Sequence, residues 1–199
     1  TADSSITGGG AMTVVDGAVQ KYSGAVTVDS LDIQDATTSV TLDGAVTTQT
    51  TLDINSGGTL TQNKKVIAGT SLDYDAGGAL TINETIAATT VDIDATGVTT
   101  VAEAGDITAS DAVTFGADKS GTLTTAGEIT TSNDNVTFTN AVTQTGDVAI
   151  DTGSGAGNIL FKSTVATADK NLSLDAGASG NITADSSITG GGAMTVVDG

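Results

Sequence analysis

Four aspartates recur at near-even spacing, each set between two apolar residues: Asp32 in LDI, Asp53 in LDI, Asp73 in LDY and Asp92 in VDI. Brought into one line, such carboxylates could supply the oxygen ligands that a hard cation such as Ca²⁺ prefers. Asp32, Asp53, Asp73 and Asp92 are therefore the candidate Ca²⁺ ligands of the chain. No EF-hand loop and no GGxGxD repeat accompanies them. The competing reading is a solvated acidic stripe. Neighbouring carboxylates about 4.8 Å apart repel by roughly 1 kcal/mol each in water, and the charge keeps a rod in solution.

Hydroxyls form the second set. Thr47, Thr61, Thr81, Thr99, Thr124, Thr143 and Thr183 fall at comparable phase and read as a threonine column. Threonine ladders suit sheets because the branched carbon packs well and the hydroxyl can bond between rungs. Ice-binding solenoids present such threonines in pairs, as TxT. Pairs stand here at Thr59 with Thr61 and Thr122 with Thr124, but Ala79 precedes Thr81 and Ala141 precedes Thr143. The column is mostly one residue wide, which makes ice binding the secondary reading.

Other chemistries are excluded by composition. The chain has no His, Cys, Arg, Trp or Pro, and 38 Thr. Without His or Cys there is no Ser–His or Cys–His pair, no thiolate site and no ordinary zinc centre. Carbohydrate-cleaving β-helices, a remoter alternative, need clustered acids with a base, and aromatic platforms; of five aromatic residues only Tyr22 reads as outward. Asp92 and Asp94 sit in a regular rung, so they read as surface residues. GGGAMT and GSGAG lack the GK[ST] ending of a phosphate loop and read as turns. The expectation is a chain that is not an enzyme and has no cofactor beyond that Ca²⁺. A formal net charge of -18 repels phosphate backbones, so neither nucleic acid nor an anionic membrane surface is an expected partner. No apolar run approaches the roughly 20 residues that cross a bilayer.

The elements that must position these residues are short strands. SLDIQ (30–34), TLDIN (51–55), SLDYD (71–75), TVDID (90–94), AVTFG (112–116), NVTFT (135–139) and NILFK (158–162) alternate apolar and polar, the mark of a strand with one buried face. Most are followed by a glycine-containing turn and a second strand: GTLTQN, GALTIN, GVTTVA, GTLTTA, NAVTQT. A third, shorter strand is expected around Ile86, Ile107, Ile129 and Val148. Three strands every 20–23 residues or so, with no helical pattern, describe an all-β chain, a parallel β-solenoid. Ile33, Ile54, Tyr74, Ile93, Phe115, Phe138 and Phe161 fall at one inward phase, and Leu60, Leu80, Val98, Leu123, Val142 and Val165 at another. A β-sandwich also uses short alternating strands, but does not require one residue class at one phase in successive segments. Long, irregular coils without a strict six-residue pattern point to the right-handed form, in keeping with crossover handedness.

One longer repetition overlies this. Thr1–Gly17, TADSSITGGGAMTVVDG, is reproduced without change at Thr183–Gly199. Residues 1–182 therefore read as one full tandem repeat and 183–199 as the start of the next identical one. NLSLD (171–175), NITAD (181–185) and AMTVV (193–197) can be taken as two rungs or three, giving eight or nine coils per period. The expected partner is the chain's own continuation, end to end, with lateral association into fibres opposed by the charge unless cations intervene.

GNILFKSTV (157–165), NLSLDAGASGNITADSSI (171–188) and GAMTVVDG (192–199) resemble repeats of very large bacterial surface proteins of the filamentous haemagglutinin type and related giant adhesins. The resemblance covers most of the chain in texture. It implies a right-handed β-helical shaft of a secreted or surface-held fibre, a structural part without catalysis.

Overall fold

The computed structural model describes all 199 residues. It contains 26 strands and no helix, and every strand pairing is parallel. The chain winds as a solenoid of three walls that fits the right-handed form. Walls 1 and 2 belong to one 16-stranded sheet, and wall 3 is a separate 10-stranded sheet, one strand per coil. The two sheet-forming walls are joined because the long strands Ala11–Tyr22 and Ser30–Leu42 run through the corner between them. Asp16 (φ 60) and Asp35 (φ 54) take left-handed backbone at those corners, a conformation that Asp tolerates better than most residues. The pairing register shifts at the same places.

Alternation decides what each wall buries. On wall 1, Ile33, Ile54, Tyr74, Ile93, Phe115, Phe138 and Phe161 stand directly above one another, as the periodicity requires. The three phenylalanines stack face to face, with centroids 5.4 Å and 4.8 Å apart and planes within 9°. These columns merge into one core of 41 buried residues running through the coils. Beside Phe115 and Phe138 the interior leaves about 10 Å³, room for one water at most. The inside is packed and offers no ligand cavity there.

Thr48, Thr125 and Thr167 Oγ1 and Gln144 Oε1 are buried without a hydrogen-bond partner, while other polar groups inside bond across the walls. Tyr74 donates its hydroxyl to Gln62 Oε1 at 3.3 Å, and Gln62 Nε2 donates to the carbonyl of Glu84 at 2.9 Å. The backbone ladder is directional. Inward residues bond the following coil, as when Val136 N–H donates to Asn158 O at 2.8 Å and Phe138 O accepts from Lys162 N–H at 2.9 Å.

Two sequence expectations are corrected. Wall 2 turns Thr99 inward in place of Val98: Leu80 pairs with Thr99 and Thr99 with Leu123, leaving Thr99 6% and Val98 44% exposed. Thr99 follows Ile93 by six positions, as Leu60 follows Ile54 and Leu80 follows Tyr74, so the strand keeps its phase: Thr99 fills the inward position and the apolar Val98 falls on the outward one. Tyr22 is buried, stacked on Leu42. On wall 3 the residue above Ile129 is Ile150, and Val148 lies two positions earlier, over Leu172. The three triplets left open in sequence fall on two walls. Leu172–Asp175 and Met194–Val196 are neighbours on wall 3, and Ile182–Ala184 lies on wall 1 above Phe161.

Candidate functional site: the outward ladders

Asp32, Asp53, Asp73 and Asp92 form one unbroken outward column on wall 1. It begins after Thr13 and ends at Thr114, and Thr137, Leu160 and Thr183 then continue the same position. Sequence reasoning did not find the second column beside it, Asn55, Asp75 and Asp94. Its signal was the D/N two positions after Asp53, Asp73 and Asp92.

The electrostatics are those of crowded like charge. Burial against the wall, then the neighbouring carboxylates Asp53, Asp75, Asp92 and Asp94, push Asp73 up to about 6. The carboxyls of Asp53, Asp92 and Asp94 are raised too, with partial burial as the largest cause. Relief is local. Gln34 Nε2 donates to Asp32 Oδ2 at 2.7 Å. Lys119 Nζ lies 3.1 Å from Asp75 Oδ1. Asp94, only 2% exposed, accepts the backbone N–H of Asp118 at 3.2 and 3.3 Å through its two oxygens. Asp32 Oδ1 and Asp92 Oδ1 are buried and accept no hydrogen bond. The carboxylates stand in two parallel lines and not in a cage: no three acidic side chains converge as a metal site needs.

The threonine column is differently composed than the sequence suggested. Thr41, Thr61, Thr81, Thr100, Thr124 and Thr143 stack without interruption on wall 2, between Lys21 and Ala166. Thr47 lies on wall 3, between Thr27 and Ile67. Thr99 faces the core, and Thr183 belongs to wall 1.

A third set of ladders is made of amides. Asn158 donates its Nδ2 to Asn135 Oδ1 at 2.8 Å, and Asn181 donates its own to Asn158 Oδ1 at 3.2 Å. The backbone N–H groups of Asn158 and Asn181 donate to the same two oxygens, at 3.0 and 2.9 Å. Asp43 accepts from Asn63 at 2.7 Å and Asn63 from Asn83 at 2.7 Å at another corner. An amide both donates and accepts, so it can bond the rung on either side. The signal was present: NVT, NIL and NIT recur every 23 residues.

The outside presents rows of carboxylate, hydroxyl and amide, and one open depression lined by Glu103, Asp106, Glu128, Asp147 and Lys170. Comparison with family models, with curated proteins and with solved structures found no match.

Proposed function

We propose that this chain is a section of the shaft of a long extracellular or cell-surface fibre, and that its work is mechanical: length, stiffness and a repeated surface. One observation carries the reading. The second copy of the 17-residue segment takes its place as one more coil on the same stack. Ala184 lies over Phe161, Ile188 over Val165 and Met194 over Leu172. Repetition of this sequence therefore adds height to a rod and does not start a new globule, because each coil completes the core of its neighbour. The packed interior and the linear surface chemistry support a part without catalysis. Its partner is its own continuation, and the resemblance to giant adhesin repeats agrees with a secreted or surface location.

The test is the native material. Denatured fibres run in a mass measurement should give a polypeptide of many periods, and micrographs a rod with an axial feature about every 42 Å. A native species no larger than the 199-residue chain, 19.3 kDa, overturns the shaft reading. The six-rung threonine column favours a second reading, ice binding, which a thermal-hysteresis measurement on the 199-residue chain decides.

A further inference from the structure

The two copies of TADSSITGGGAMTVVDG do not lie on the same walls. In the first, Ala2 is on wall 2 beside Tyr22, Ile6 on wall 3 beside Val26, and Met12 and Val14 on wall 1 beside Leu31 and Ile33. In the second, Ala184 is on wall 1 beside Phe161, Ile188 on wall 2 beside Val165, and Met194 and Val196 on wall 3 beside Leu172 and Leu174. The period thus spans eight and two-thirds coils, one wall short of nine.

The segment tolerates both placements for physical reasons. Its inward residues are small or unbranched-to-aliphatic (Ala, Ile, Met, Val), it has no aromatic ring, and glycines Gly8–Gly10 leave its corner free of side-chain demands. The middle of its MTV triplet is Thr, which stacks on Asp32 in one copy and on Ser173 in the other. Nothing in it is specific to one wall.

We infer that an array of this repeat turns by one wall per period, so that the acidic ladder of Asp32, Asp53, Asp73 and Asp92 faces each of the three sides in succession and returns to the first after three periods. The inference rests on the shaft reading for its array and on the pairing of the two copies for its sense. At about 4.8 Å per coil, one period rises about 42 Å and the true repeat is about 125 Å. Every side of such a fibre carries the same charge pattern, offset along the axis, so a partner that binds the ladder finds one from any direction.

Cysteine pairs in the 199-residue chain test the wall assignment. Adjacent parallel strands hold outward Cα atoms at a spacing a disulfide can bridge. Thr137→Cys with Leu160→Cys, neighbours on wall 1, is the control that must cross-link. Leu160→Cys with Thr183→Cys should then cross-link as completely as the control, whereas Ala166→Cys with Thr183→Cys should not. Were the copy unturned, Thr183 would take the place of Thr1 on wall 2, next to Ala166. A disulfide in that last pair, or none in either while the control closes, overturns the inference. In fibres, layer lines at about 125 Å are expected, and a true repeat of about 42 Å overturns it as well. Failure of the shaft reading looks different: native material of one period, with the cross-links still deciding the wall.

Discussion

The same wall reads differently in its two halves. From Ser30 to Ala95, its outward column is aspartate and its inward column aliphatic or tyrosine; from Val113 to Ala184 the outward column is Thr114, Thr137, Leu160 and Thr183, and the inward one is largely phenylalanine. The corners differ too. At the corner leading into this wall the later half bonds Asn135, Asn158 and Asn181 rung to rung, while the earlier half places Ser30, Thr51, Ser71 and Thr90 at the matching positions. Both halves keep the same parallel ladder. The backbone and the packed interior hold the coil, and the outward column is free to be charged at a cost the core absorbs.

Substitutions can break or sharpen that contrast. The largest effect is expected in the later core. Phe138→Ala removes the middle ring of the stack and should cost about 3–5 kcal/mol, read as a lowered midpoint in denaturant melts. In the amide ladder, Asn158→Asp loses the donation to Asn135 and sets a charge beside its carbonyl oxygen; a loss of about 1–3 kcal/mol is expected. Asn158→Ala should lose less.

The aspartate column should respond in the opposite sense. Asp73 has its folded carboxyl raised from 3.8 to about 6, so between those pH values the folded state holds a proton that the unfolded state has released. Stability from this group is therefore greatest at the acid end of that window and falls as pH rises through about 6. Asp53, Asp92 and Asp94 shift in the same direction. Asp43 and Asp147, lowered first by hydrogen bonds from Asn63 and from the backbone N–H of Asn171, oppose the trend only as pH falls below their ordinary range. The melting temperature should thus be higher at pH 5 than at pH 7. Asp73→Asn should gain about 1 kcal/mol at pH 7, the shift being discounted for solvent screening, or about 2–4 °C, and should flatten the pH profile. A wild-type melt that rises from pH 5 to pH 7 contradicts this account. The smallest effect belongs to Lys119→Ala, which removes a half-exposed ion pair to Asp75 and should cost less than about 1 kcal/mol.

Much of this was legible in the residues. Alternation around Ile33, Ile54, Tyr74, Ile93, Phe115, Phe138 and Phe161 gives the inward column directly, and the aspartate column follows because the residue between two inward ones must face out. The amide ladder was visible in its spacing but is a property of paired side chains. It has meaning only once Asn135, Asn158 and Asn181 are known to share a corner. Thr47 and Thr183 were assigned to a column from phase alone, and phase drifts wherever a turn gains or loses one residue; Thr99 was assigned to it because the apolar Val98 beside it read as the inward residue.

The sequence by itself determined that the chain coils, that its strands are short and parallel, and which side chains repeat. Those follow from a two-residue alternation nested in a coil of about 20 residues. Only the tertiary structure decided the wall on which each triplet lies, the burial of Tyr22 and the fractional coil count of the period. Three walls built from similar aliphatic triplets look alike in sequence, and a slip of one residue inverts a strand without changing its composition. Packing against the coils above and below removes that degeneracy.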